Sequence, residues 1–212
     1  MQKKKIIVLS TLFIVPLLFY MFLSKGIYHY ANLPILSENV VELKGETQFK
    51  DHYSVVCFLG DDLESSKGKL FNLNETIYKR YYGKKQFQVV VIIPEGIEEE
   101  IQELERRLAT YADASKWKFI STNKEELVTV FNSFNTPFTL NENFGSDYAF
   151  IVDTELRLRG RKDDEDTADG KLYGYDMNSV AILKNKMRKD IEVIYYQLKK
   201  SMEKEQRRKR EI

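Results

Sequence analysis

The chain has 212 residues, of which 43% are hydrophobic and 13% aromatic, so it is long and apolar enough to bury one full core. Its 33 Lys and Arg residues nearly balance its 32 Asp and Glu residues, and the formal net charge is +1. This balance excludes a nucleic-acid-binding domain, which would carry a clustered basic excess. A single cysteine also excludes a disulfide within the chain.

The chain begins with a short basic stub and an uncharged apolar run. The run Ile6–Leu23 approaches the roughly 20 residues that cross a bilayer. Because Lys3–Lys5 outweigh Lys25 on the far side, the positive-inside rule predicts one transmembrane helix with a cytoplasmic N-terminus and a periplasmic or otherwise extracytoplasmic domain. A signal peptide cleaved after Gly26 is the alternative, although the run exceeds the roughly 7–15 residues of a usual signal-peptide core.

Strand and helix patterns alternate along the rest of the chain. Buried strands are predicted at 53–59 and 86–93, a short strand near Trp117, and a hairpin that turns at 153–155. Helices are predicted at 70–81 and 97–111, after the capping-box pair Asn123 and Glu126, and from Val180 to Leu198. The order βαβαβαββα is that of the thioredoxin superfold and predicts a three-layer α/β sandwich.

These elements divide the chain into four segments. Residues 1–23 are the stub and anchor, 24–38 a tether, 39–200 the globular domain, and 201–212 a charged tail.

Cys57 lies within the apolar strand "YSVVCFL". A cysteine in a strand covered on both faces usually packs as a small hydrophobic residue. A reactive thiolate needs an electropositive, partly exposed setting, whereas the residues that follow the strand are acidic. The sequence favours an inert thiol over a reactive one.

Two charged segments near the C-terminus have two interpretations each. The acidic loop Asp163–Asp169 departs from the EF-hand spacing, which favours a solvated loop over a calcium site. The basic tail Lys199–Arg210 is interrupted by Glu203 and Glu205. This interruption favours a solvated helix end over a segment that binds anionic lipid headgroups.

Several segments together resemble one protein family. They are the lysine-flanked N-terminal run, "LP" at Leu33, "WKFISTNKEELVTVF", "DYAFIVDTELRLRG" and "YGYDMNSVAILKNKMRKDI". Over about residues 33–200 the chain resembles the Sco (SenC) family. The resemblance implies a membrane-anchored thioredoxin-like domain of the Sco and peroxiredoxin type. Members of that family deliver copper to cytochrome c oxidase or act as thiol-disulfide reductases in its assembly.

The resemblance fails at the positions that bind copper in the family. The family uses a C-x-x-x-C motif at the first strand–helix junction and a histidine before the hairpin, a ligand set suited to copper. In this chain those positions fall at about Leu63, Lys67 and Gly145, and none of the three is a ligand. Cys57 comes too early in the chain to replace one of them. We therefore expect no copper, no other metal and no cofactor.

The polar residues around these positions remain candidates for binding. They are Asp61, Asp62, Glu64, Ser65, Ser66, Lys67 and Ser146, which we call the rim. Loops and element ends on a rigid scaffold are where binding functions concentrate. The sequence favours a non-enzymatic accessory factor in cytochrome c oxidase assembly, with a protein partner in the envelope. The alternative is a redox enzyme of the thioredoxin or peroxiredoxin type that acts through Cys57.

Overall fold

A computed structural model describes residues 2–24, 32–45, 48–111 and 113–210, and the chain divides into two compact units at residues 31 and 32. The first unit contains one helix, α1 (Gln2–Ser24), with Pro16 inside it. In the parts of the chain that are described, no helix has both the length and the apolar character that crossing a membrane demands. The transmembrane segment predicted for Ile6–Leu23 is therefore not confirmed.

The second unit is built around one mixed seven-stranded sheet. Its strands are β1 (Ile35–Ser37), β2 (Tyr53–Leu59), β3 (Phe87–Pro94), β4 (Trp117–Thr122), β5 (Gly145–Val152), β6 (Leu158–Arg159) and β7 (Tyr175–Asp176). The order is β1-β6-β5-β2-β3-β4, and β7 pairs with β5. Strands β2, β3 and β4 are parallel to one another, whereas β5 runs antiparallel to β2.

Helices connect these strands and cover the sheet. They are α2 (Leu63–Leu73), a π-helical turn (Asn74–Tyr78), α3 (Lys79–Tyr81), α4 (Glu98–Tyr111), α5 (Lys124–Ser133), α6 (Val180–Ile182), a second π-helical turn (Leu183–Met187) and α7 (Arg188–Arg210). The predicted cap of α5 is present, because Asn123 Oδ1 accepts a hydrogen bond from the backbone N–H of Glu126 at 2.9 Å. Glu126 does not return this bond; its carboxylate instead accepts from the N–H of Lys44 and the hydroxyl of Thr122.

Alternation along the central strands places a hydrophobic core on each face of the sheet. On one face Val55 and Cys57 of β2 pack with α2, α4 and α7. On the other face Val56 and Phe58 pack with α5, and the rings of Phe58 and Phe131 meet edge to face at 5.1 Å. The result is a three-layer sandwich, as the period-two pattern of side chains requires.

Two boundaries and the exposure of one residue differ from the sequence predictions. The tether predicted at 24–38 contains β1, which pairs with β6, so the folded domain begins earlier than residue 39. Residues 201–210 of the predicted charged tail belong to the last helix, because α7 continues to Arg210. Val180, predicted to be buried in the last helix, is 47% exposed.

Candidate functional site

Cys57 lies in the middle of β2, between Val91 of β3 and Ala149 of β5. Its exposed fraction is 0%, and burial raises the pKa of its thiol far above the usual value. A thiolate is the nucleophilic form of cysteine, so this environment disfavours both access to Cys57 and its ionisation. The geometry agrees with the inert thiol favoured by the sequence.

Alkylation of Cys57 is expected to be slower in the folded protein than in denaturant by a factor on the order of a hundred or more, since the reagent must wait for the sheet to open. The measurement is the rate of modification by iodoacetamide, followed by mass spectrometry at constant pH. Labelling at comparable rates in the two states would contradict this prediction and support the enzymatic alternative.

The junction between β2 and α2 is a tight turn held against the loop that precedes β5. Gly60 has a φ of 72°, and the backbone N–H of Asp61 donates to the carbonyl oxygen of Asn143 at 3.0 Å. An ideal Cβ on Gly60 would lie only 2.4 Å from that same oxygen. Only glycine fits both the conformation and the space, so the rim has a fixed backbone.

The predicted rim residues take different positions at this turn. Asp62 is the N-cap of α2, and its Oδ1 accepts from the N–H of Ser65 at 3.3 Å. Ser66 is buried and donates to the carbonyl oxygen of Leu59, and Ser146 is also buried. Ser66 and Ser146 therefore lie beneath the surface that the other rim residues present.

The exposed part of the rim consists of Asp61, Asp62, Glu64 and Ser65, with Lys67 half-buried beside them. The Lys67 ammonium pairs with the Glu64 carboxylate one turn earlier in α2.

The three positions expected for copper ligands do not fit copper. Leu63 is buried, and Lys67 is a cation held by Glu64. A Cβ at Gly145 would approach the carbonyl oxygen of Leu59 to 2.9 Å, which leaves no space for a side chain. Among the described residues, no group of three or more His, Cys, Asp or Glu side chains is placed to hold a metal ion. No soft ligand set is present at this junction.

The rim borders a groove that the sequence did not predict. The groove has a volume of about 340 Å³ and lies between the start of α2 and one face of α4. Its lining residues are Asp61, Asp62, Leu63, Glu64, Lys67, Ile97, Glu100, Glu103, Leu104 and Arg107. Arg107 pairs with Glu103, which lowers the pKa of that carboxyl group. With Lys67 and Glu64 also paired, three acidic side chains remain without a basic partner in the groove: Asp61, Asp62 and Glu100.

A buried lysine fixes α2 to β5 next to the rim. The Nζ of Lys69 lies 2.8 Å from Oδ1 of Asp147, and the lysine side chain is only 8% exposed. The hydrogen bond from Lys69 lowers the pKa of Asp147. This contact holds the first turns of α2 at a fixed distance from β5.

One residue of the acidic loop, Asp164, belongs to a buried ion-pair cluster, so the prediction of a solvated loop is wrong at this residue. Asp164 is buried and accepts two hydrogen bonds from the Nζ of Lys186, at 2.6 and 2.7 Å. Arg161 donates to both carboxylate oxygens of Asp190, and the hydroxyl of Tyr175 donates to the same carboxylate. Asp163 and Asp169 remain exposed. The loop is thereby fastened to the last helix.

Strand order and helix placement define a thioredoxin-like fold. A parallel unit, β2-α2-β3, is followed through α4, β4 and α5 by an antiparallel strand, a hairpin and a final helix, and β2 lies at the centre of the sheet. The thioredoxin-like α/β fold predicted from the sequence is confirmed by this topology. The rim lies at the junction of the first central strand and its helix, where a helix N-terminus faces solvent.

No protein-family model and no curated protein sequence matches the chain. Solved structures similar to it include apo Sco1 from Thermus thermophilus, with 14% identity, coverage of 79% of this chain and 98% of that chain, and a TM-score of 0.47. BsSco is described as a member of the Sco family of cytochrome c oxidase assembly proteins. It has 10% identity, coverage of 72% of this chain and 95% of that chain, and a TM-score of 0.46.

The thioredoxin domain of a thiol-disulfide oxidoreductase from Bacteroides vulgatus is also similar, with 18% identity, coverage of 75% of this chain and 94% of that chain, and a TM-score of 0.42. Likeness at these levels concerns the fold alone, and the strand order itself defines that fold.

Proposed function

We propose that the chain is a Sco-like protein that acts by binding another protein, without redox or copper chemistry of its own. The observation that carries this proposal is the strand–helix junction, which holds a capped helix and a groove in place of ligands. The resemblance of the quoted sequence segments to the Sco family supports a role in cytochrome c oxidase assembly or a related envelope process.

The groove favours a partner segment that is both basic and apolar. Its charge is dominated by the unpaired carboxylates of Asp61, Asp62 and Glu100. Ile97, which directly precedes α4, is half-buried and supplies apolar surface between them, and the buried Leu104 of α4 lies at the base of the groove. A protein segment that places a Lys or Arg beside an aliphatic or aromatic side chain would match this pattern in charge and polarity.

Membrane attachment is the part of the proposal that rests on the sequence alone. The uncharged run Ile6–Leu23 and the preceding lysines support one transmembrane segment with the domain outside the cytoplasm. This location would place the domain where envelope assembly occurs.

The alternative, a redox enzyme that acts through Cys57, is disfavoured by the same geometry. The thiol is fully buried in the core on one face of the sheet, and burial raises its pKa far above the usual value, which disfavours a thiolate.

A photo-crosslinking amino acid at Glu64 is expected to capture a discrete membrane-protein partner in native membranes. The double variant Asp61→Lys and Glu100→Lys should reduce this capture several-fold, because it reverses the charge of the groove without touching the cap at Asp62. The measurement is the yield of the crosslinked band, with the partner identified by mass spectrometry.

The double variant Glu99→Lys and Glu105→Lys is the matched control, since it changes the same charge on α4 outside the groove. Its crosslinking yield and the melting temperature of both double variants should equal those of the unmodified protein. Capture of lipid alone, or equal loss in the control, would rule out the groove as the partner site.

A further inference from the structure

The last helix extends well beyond the core that it helps to form. Ile194 is the last buried residue of α7, whereas every described side chain from Lys199 onward is exposed. The segment from Lys199 to Arg210 is about 18 Å long at the rise of an α-helix. A projecting segment without core contacts is available for another surface.

This segment is strongly basic on one face. From Lys199 to Arg210 the sequence has seven Lys and Arg residues and two Glu residues. Lys200, Lys204 and Arg207 follow one another at spacings of four and three, so the helix places them on one side, which we call the basic face. None of these three side chains forms an ion pair with a described residue. Glu203 lies on the same side of the helix, so the basic face carries three positive charges against one negative charge.

The start of the folded unit lies beside this segment. Gln197 of α7 donates to the side-chain oxygen of Asn32, and Arg159 donates to the carbonyl oxygen of Leu33. Gln197 is two residues before Lys199. The point where the chain enters the domain is thus adjacent to the base of the projecting helix.

Chain length then limits the distance from this entry point to a membrane. Residues 24–31 can span at most roughly 30 Å when fully extended. If Ile6–Leu23 is inserted in the bilayer, as the proposed function requires, the bilayer surface is within that reach of Asn32. Because Asn32 contacts Gln197, an anchored chain would keep the base of the projecting segment within about the same distance of the headgroups.

We infer that the basic face of α7, formed by Lys200, Lys204 and Arg207, binds the anionic headgroups of the membrane to which the chain is attached. This inference rests on the membrane attachment in the proposed function. Each basic residue near an anionic surface strengthens binding by roughly fivefold at moderate salt. The interaction weakens as the Debye length falls from about 8 Å at physiological salt to about 3 Å at 1 M.

The test uses the full chain with Gln206→Cys, labelled with a fluorophore on the projecting segment while Cys57 stays buried. The chain is reconstituted in vesicles of phosphatidylcholine alone, or with one third phosphatidylglycerol, each containing a headgroup-linked quencher. Quenching should be strong in the anionic vesicles, weak in the neutral ones, and lost in 1 M salt. In the variant Lys200→Glu, Lys204→Glu and Arg207→Glu, the ratio of quenching in anionic vesicles to quenching in neutral vesicles should fall at least tenfold.

The triple variant Lys118→Glu, Lys162→Glu and Lys171→Glu is the control for net charge, because these residues are exposed and lie outside α7. It should retain the quenching. Equal quenching in neutral and anionic vesicles, or equal loss in both triple variants, would overturn the inference.

Flotation with the neutral vesicles tests the anchor separately. A chain that floats only with anionic vesicles, in a salt-sensitive way that needs the basic face, would refute the anchor and support lipid binding by α7. A chain that floats with neutral vesicles but shows no anionic preference in quenching would support the anchor and refute lipid binding.

Discussion

Replacing Asp190 by alanine is expected to lower the free energy of unfolding by about 3–5 kcal/mol, the usual effect of removing one partner of a buried ion pair. The Asp190 carboxylate accepts from Arg161 at 2.8 and 3.0 Å and from the Tyr175 hydroxyl at 2.7 Å. Its loss leaves the Arg161 guanidinium without its main acceptor and a buried hydroxyl without a partner. The measurement is urea unfolding at neutral pH.

Two milder variants bracket this effect. Tyr175→Phe removes one neutral donor and should cost about 1–2 kcal/mol. Asp166→Asn removes an exposed partner of Lys186 and should cost less than about 1 kcal/mol. An Asp190→Ala variant as stable as Asp166→Asn would mean that the cluster does not fasten the acidic loop to α7.

Replacing Gly60 by alanine is expected to lower the free energy of unfolding by about 2–4 kcal/mol, which combines the strain of a left-handed residue with overpacking. The added Cβ would lie 2.4 Å from the carbonyl oxygen of Asn143 and 2.8 Å from the backbone nitrogen of Gly145. Both are backbone atoms, so neither can rotate away. The rim turn must shift, and the groove beside it should lose its shape.

Gly68→Ala is the matched control for this change. Gly68 lies in α2, only eight residues further on, and a Cβ there meets no atom within 4 Å. Alanine at an open helical position should stabilise the protein by roughly 0.5–1 kcal/mol. Both variants can be compared by urea unfolding. A change in the free energy of unfolding in the same direction for both variants would mean that the conformation and close packing of Gly60 do not require glycine.

Elements with covered faces were predictable because their pattern is local. The strand 53–59 was predicted with the same bounds as β2, and the strand predicted at 86–93 differs from β3 by one residue. A continuous run of β-branched and aromatic residues marks such strands without any knowledge of their neighbours. The cap at Asn123 is equally local, since the side chain bonds three residues ahead.

The groove and the ion-pair cluster were not predictable, because they form between segments that are distant in the sequence and a local pattern contains no information about such contacts. Glu100 belongs to an acidic run that stabilises the N-terminus of α4, yet it also lines the groove beside Asp61. The acidic neighbours of Asp164 in the sequence predict that it is solvated. In the structure it pairs with Lys186, which lies 22 residues later in the chain. Edge strand β1 was missed because three residues are too short for a recognisable period.

The contacts of Asn32 and Leu33 determine how mechanical load would enter the folded unit. A force that pulls on the chain before residue 32 acts first on two hydrogen bonds, from Gln197 to Asn32 and from Arg159 to Leu33. Edge strand β1 follows these bonds in the chain. The Arg159 guanidinium is itself held by the buried carboxylate of Asp153 at 2.8 Å. A pull from the N-terminus is thus shared between the last helix and the hairpin turn. These bonds protect the short edge strand from being peeled off the sheet.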